Sequence, residues 1–178
     1  MLNNDVLRRM RYILDFNDAK MIEIFGLADL HVSRAQVGDW LKQDDDPACQ
    51  DCSDCQLAVF LNGLIIEKRG KKEGAQPTLE KKLSNNVIFI KLKIAFNLRA
   101  EDVIAILDLV DFTLSKHELS AFFRKAGHKH YRECKDQVLR NFLHGLQLEY
   151  RDSIESEEKG PKNNDPIAIQ DTGPEEVP

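Results

Sequence analysis

Cys49, Cys52 and Cys55 stand in a C-x2-C-x2-C array, a spacing at which soft thiolates can gather zinc or an iron–sulfur cluster. A fourth ligand is on hand in Cys134, or in His128 and His130. Cys52 and Cys134 also have a second chemistry. Each precedes a predicted long helix, where the positive helix end lowers a thiol's pKa and makes it a nucleophile or redox sensor. A third chemistry is electrostatic. Residues 124–135, RKAGHKHYRECK, set Arg124, Lys125 and Lys129 around the single aromatic Tyr131, which suits phosphate contact and base stacking. No Gly-rich phosphate loop, G-x-S-x-G, H-E-x-x-H or acid/base dyad occurs, which leans the chain away from enzymes.

The elements that must carry these residues come in two copies. Residues 3–69 lie on residues 85–151 at a constant offset of 82, without a gap, and 16 of the 67 paired positions are identical. Self-similarity of that length means two copies of one folded unit, and a unit this small needs its twin to complete a core. Each copy reads as four helices. In the first, apolar residues recur at Leu7, Met10 and Leu14 from Asn4 to about Phe16. Its counterpart VIFIKLKIAF alternates like a strand, yet one fold must host both versions, so both are expected helical. Asp18 is expected to cap the second helix, and Ser33 and Ser115 the third, with Val37, Trp40 and Leu41 facing inward. The fourth starts at Asp54 or Asp136, or one residue earlier, with Leu57, Phe60, Leu61 and Leu64 repeated at Leu139, Phe142, Leu143 and Leu146. Gly70 follows as a C-terminal stop.

The duplication weighs each chemistry. Cys49 aligns with Tyr131 and Cys55 with Gln137, so a fold that drops two of three thiols in one copy does not depend on a metal, and neither metal nor cofactor is expected. His128 and His130 align with Asp46 and Ala48, which rules out a Cys–His pair repeated at those positions. Cys52 and Cys134 recur, and the simplest account is that they fill a tight corner as small hydrophobes. Residues 22–41 resemble a helix-turn-helix in their V-S-x-x-x-V-x-x-W-L ending. The turn position usually held by Gly is however His31, or Thr113 in the other copy, and Asp44, Asp45 and Asp46 follow the candidate recognition helix.

The recurring polar residues divide in two. Asn4, Ser33, Asp54 and their mates read as helix caps. Asp29/Asp111, Glu67/Glu149 and Arg69/Arg151 do not, so they are expected to form inter-copy ion pairs or a symmetric binding patch. Gly63 and Gly145 lie inside the fourth helices, where Gly costs about 1 kcal/mol relative to Ala, so a neighbouring backbone is expected to pass close by.

The formal net charge of −5 hides an uneven distribution. Residues 152–178 carry eight acids and two lysines, leaving the rest of the chain at +1; copy one is −4, residues 70–84 are +2 and copy two is +3. With 42% hydrophobic and 31% charged residues and no apolar run long enough for a membrane span, the chain reads as an ordinary soluble protein with no membrane partner. MLNNDVLRRMRYIL has no continuous apolar core of a secretion signal, so the expected location is cytoplasmic, where the four thiols stay reduced.

FLNGLIIEKRGK (60–71), the opening MLNNDVLRRMRYIL and FRKAGHKHYRECKDQVLRNFLHGL (123–146) resemble the YehS family of bacterial proteins, in register over residues 1–151. That resemblance implies a small bacterial cytoplasmic protein built on a duplicated domain of unknown function, and it supplies no catalytic residues. The expectation is an all-α protein of two tandem pseudo-symmetric four-helix repeats, 1–69 and 85–151, packed into one domain. They are joined by a linker at 70–84 and followed by a disordered acidic tail at 152–178. The expected function is non-enzymatic binding or adaptor work, with a protein partner in a groove between the repeats. The alternative is a nucleic-acid-binding regulator using residues 124–135 with Arg8, Arg9 and Arg11. A thiol enzyme or redox sensor built on Cys52 or Cys134 ranks third.

Overall fold

In a computed structural model, which describes residues 1–74 and 78–152, the chain folds into helices throughout: α1 (Asn3–Ile13), α2 (Asp18–Leu27), α3 (Arg34–Leu41), α4 (Asp54–Arg69), α5 (Asn85–Ala95), α6 (Ala100–Asp108), α7 (Lys116–Phe122) and α8 (Asp136–Gln147). A π-helical turn, Leu148–Asp152, continues α8. α1–α4 and α5–α8 are the two repeats. No strand occurs among the described residues, so the alternating segment of α5 is helical, as its mate α1 requires. The acidic tail lies outside the described residues apart from its first, Asp152.

Local chemistry sets the helix starts. Ser33 and Ser115 accept the N–H groups of Gln36 and Glu118, whose side chains bond back to the serine N–H groups. Ser53 and Gln56 do the same at α4. Three expectations are corrected. Asn17, not Asp18, caps α2 through Lys20 N–H. Asn4 and Asn86 cap nothing: Leu2 and Ser84 hold the N-cap positions of α1 and α5, and the two asparagines are 4% and 3% exposed. Asp54 and Asp136 are first helical residues behind Ser53 and Lys135, and their carboxylates serve other donors.

The two asparagine pairs instead clamp the loop before the long helix, identically in each repeat. Asn4 donates to the carbonyls of Trp40 (2.9 Å) and Gln50 (2.8 Å) and accepts Cys52 N–H (2.9 Å). Asn86 makes the same three bonds with Phe122, Arg132 and Cys134, at 2.9, 2.8 and 2.9 Å. Asn3 bridges Cys52 carbonyl and Asp54, as Asn85 bridges Cys134 and Asp136. A loop carbonyl left inside without a donor costs about 1–3 kcal/mol, so the clamp explains why Asn-Asn opens both copies.

The core compensates for sequence drift. In the first repeat Phe25 of α2 packs on Trp40 and Phe60, with ring centroids 5.4 and 5.3 Å apart. In the second the large ring has moved to α5: Phe89 packs on Phe122 and Phe142 at 6.4 and 4.3 Å. Position for position, Leu7 with Phe25 becomes Phe89 with Leu107, which keeps the volume of each core. α4 crosses α2, and α8 crosses α6, at a glycine. A Cβ on Gly63 would lie 1.9 Å from the Ile24 carbonyl oxygen, and one on Gly145 2.3 Å from that of Ile106. The close approach expected of these glycines is thus a helix crossing within each repeat.

The repeats join reciprocally. α4 packs on α5, and α8 with its π-turn packs on α1, so an approximate twofold relates two seams. Both seams share one continuous core running from Val6 to Leu146.

Candidate functional site at the repeat seams

At the α4–α5 seam, the described part of the linker lies across the contact. Leu83 is partly buried against the core, and its N–H donates to Asp54 at 3.0 Å. The carboxyl of Asp54 sits below the usual range because it accepts from Asn3 and then from Leu83. Ala58 and Val59 of α4 are buried. Lys91 of α5 is 8% exposed; its ammonium donates to Asn62 Oδ1 at 2.6 Å and pairs with Glu80 of the linker at 2.8 Å. Leu83 holds the linker to the core, while Leu79 is exposed.

The α8–α1 seam repeats this frame with other residues. Met1 takes the place of Leu83, and its amine pairs with Asp136, the mate of Asp54. That amine, followed by Asn85, holds the Asp136 carboxyl low. Past this point the copies diverge. Arg9 replaces Lys91, His144 replaces Asn62, and Arg140 and Asn141 replace Ala58 and Val59. With Gln137 and Gln147 they line a shallow open groove of about 500 Å³. Arg9 and Asn141 are half-buried, while Arg140 and His144 are exposed. Gln137 donates to Asn141 at 2.9 Å, leaving the cationic side chains turned to the groove. Arg9, Arg140 and His144 make no ion pair among the described residues.

The expected site residues fall elsewhere. Asp29 and Asp111 hold φ of 64° and 54° in the turns after α2 and α6, a conformation in which Asp is tolerated, so backbone geometry accounts for them. Neither forms an ion pair with an arginine of the other repeat among the described residues. Glu67 pairs with Lys20 of its own repeat. Arg151 pairs across the repeats with Asp15, a residue outside this set, at 2.7 Å, and lies over the Tyr12 ring at 5.1 Å. The mate of Asp15 is Asn97, so Arg69 cannot repeat that pair and is exposed at the end of α4. Glu149 is exposed on the π-turn. Lys125 and Lys129 are exposed and Arg124 and Tyr131 half-buried on the α7–α8 connection, away from the groove's lining.

The three chemistries read from the sequence fare unequally. Cys52 and Cys134 are 4% and 1% exposed, and burial, aided by Asp54 and Asp136 respectively, pushes each thiol up to about 12. An activated thiol needs the opposite shift, so these side chains act as corner fillers. Cys49 is half-buried and Cys55 exposed, and no group of three or more His, Cys, Asp or Glu among the described residues is arranged to hold a metal ion. The helix-turn-helix reading is also displaced. Six residues, 28–33, separate α2 from α3, where that motif uses a turn of three or four, and Trp40 is buried with its carbonyl tied to Asn4. Arg8 is held by Asp5 and Asp44, and Arg11 by Asp18.

Arg9 entered the sequence reading only as a helix cation, and Arg140, Asn141 and His144 did not enter it. The identities between copies hid them. The usable signal was a conserved charge with a changed residue, Arg9 against Lys91, next to a small-to-basic change, Ala58 against Arg140.

Fold and seam together define a class: a duplicated all-helical protein with two pseudo-equivalent inter-repeat seams. The chain belongs to the family described as "Protein of unknown function (DUF1456)", which matches twice, at residues 3–70 and 85–152. It is 45% identical over 148 residues to "Uncharacterized protein YehS" of Escherichia coli (strain K12), covering 82% of this chain and 94% of that protein. No solved structure matches. No helix among the described residues is long and apolar enough to cross a membrane.

Proposed function

We propose that this is a non-enzymatic binding protein of the cytoplasm whose protein partner docks across the α8–α1 seam. The observation that carries the reading is the inequality of the two seams. One is covered by the chain's own linker, with Lys91 neutralised by Glu80. Its mate presents Arg9, Arg140 and His144 in an open groove. Unpaired cations on a groove built from both repeats favour association through that face. The buried, upward-shifted thiols support a non-enzymatic role, and the six-residue α2–α3 connection counts against DNA recognition by α3.

The test is paired affinity capture from cells with the wild-type chain and the Arg140→Glu variant. A partner that co-purifies with the wild type and is lost with a folded variant supports the reading. An unchanged set of co-purifying molecules, or the loss of nucleic acid alone, overturns it.

A further inference from the structure

We infer that the α8–α1 groove is a carboxylate-binding site that takes a glutamate- or aspartate-bearing segment of a partner protein. This rests on the reading above and adds the chemistry of the occupant. The approximate twofold supplies the argument. At the α4–α5 seam the cation Lys91, the amide of Asn62 and the carboxylate of Glu80 form a set, with Lys91 reaching Asn62 at 2.6 Å and Glu80 at 2.8 Å. The molecule therefore already contains one peptide-borne carboxylate seated on this frame.

At the α8–α1 seam two members of the set are present in altered form: Arg9 stands for the cation and His144 for the amide. The carboxylate is the member that no described residue supplies. The alterations suit an occupant arriving from outside. A guanidinium offers a planar fork that matches a carboxylate with two hydrogen bonds, where an ammonium offers a point charge. The floor changes accordingly. The buried Ala58 and Val59 become Arg140 and Asn141, which add a second guanidinium and an amide within the groove's lining. Asp136 of α8 is engaged by the Met1 amine and by Asn85, feels the charge of Arg140 more weakly, and makes no ion pair with Arg9 among the described residues.

A carboxylate is favoured over a nucleic-acid phosphate by the mate seam, where the same frame already seats the carboxylate of Glu80 against Lys91. The occupant is assigned to a partner because the groove's residues all lie within 3–70 and 85–152, the stretches the family shares, while the acidic residues 155, 157 and 158 lie beyond them.

The test uses the full isotope-labelled chain. A synthetic peptide bearing several glutamates, its glutamine counterpart and a DNA oligonucleotide are titrated separately at low and at physiological salt. The expected result is saturable shifts of the Arg9, Arg140 and His144 side-chain signals with the glutamate peptide only. Affinity should fall at least tenfold in the Arg9→Gln/Arg140→Gln variant and be unchanged in Lys125→Gln/Lys129→Gln, where the basic loop is neutralised instead. Equal binding of the glutamine peptide, stronger binding of DNA at these signals, or no shift overturns the inference. So does movement of the same signals when Glu155, Glu157 and Glu158 become Gln with no peptide present, because the occupant is then the chain's own acidic stretch. If the peptide fails while Arg140→Glu still abolishes capture of a partner, the docking face stands and only the carboxylate assignment falls.

Discussion

The two seams are built on one frame and finished in opposite ways. Between α4 and α5 the linker crosses the contact: Leu83 packs on the core, and a nearly buried lysine receives the carboxylate of Glu80. Between α8 and α1 the same backbone positions carry long polar side chains around an open groove. Duplication yields two equivalent surfaces, but a tandem chain has only one linker between its copies. Both seams are folding interfaces on one core, and the one under the linker is covered as well. At the mate, the positions of Ala58 and Val59 carry Arg140 and Asn141, which line the groove.

The comparison can be broken first where the repeats are most alike. Gly63→Ala and Gly145→Ala each drive a Cβ into a carbonyl oxygen of the crossing helix, so each should destabilise the chain by about 3 kcal/mol. Gly63→Ala should be the worse, since its clash is at 1.9 rather than 2.3 Å. Urea midpoints measure both, and a neutral Gly63→Ala would mean that the α2–α4 crossing is not as close as described.

Next come the clamps. Asn4→Ala and Asn86→Ala each orphan two loop carbonyls and one N–H, for an expected loss of about 2–3 kcal/mol in either repeat. Unequal losses would show that the twofold is energetically lopsided in the core as well as at the seams.

The seams themselves should separate in a third pair. Lys91→Met leaves Glu80 beside an apolar seam, with one carboxylate oxygen already buried and unbonded, and should cost about 1–2 kcal/mol after allowance for the partial exposure of Glu80. Arg9→Met breaks no ion pair among the described residues and should stay within about 0.5 kcal/mol. Thermal unfolding of the two variants under one buffer decides it; equal losses would remove the distinction between a covered seam and an open one.

The smallest effect concerns the thiols. Folded Cys52 and Cys134 titrate near 12 against an ordinary 9.0, so the folded chain holds their protons longer. Their contribution is complete below pH 9 and is lost as pH rises from 9 towards 12, because the unfolded chain ionises first. At pH 8, alkylation should mark Cys55 quickly and reach Cys52 and Cys134 only through unfolding. Fast labelling of Cys134 in the native protein would reopen the thiol chemistry.

Much of the architecture was legible because helical periodicity and the 82-residue offset are local properties. The offset made α5 a helix against its own alternation and placed Ser33 and Ser115 as caps, and both readings hold in the fold. The candidate site was hardly legible. Identical polar pairs drew attention, but Asn3, Asn4, Asp54 and Asp29 recur for reasons of loop clamping and backbone conformation. The groove is made of residues that differ between copies, and a search for sameness passes over them.

The sequence by itself determined that there are two copies, that each is helical, and which faces are apolar, because burial and periodicity are written in residue order. The tertiary structure alone decided which surface of the duplicate is free. That depends on where the linker runs: it brings Glu80 and Leu83 onto α4 and α5, while Arg9 and the α8 side chains line an open groove. Coverage is a relation between segments distant in the chain, and the charge of Arg9 acquires its meaning only once its mate Lys91 is found already neutralised.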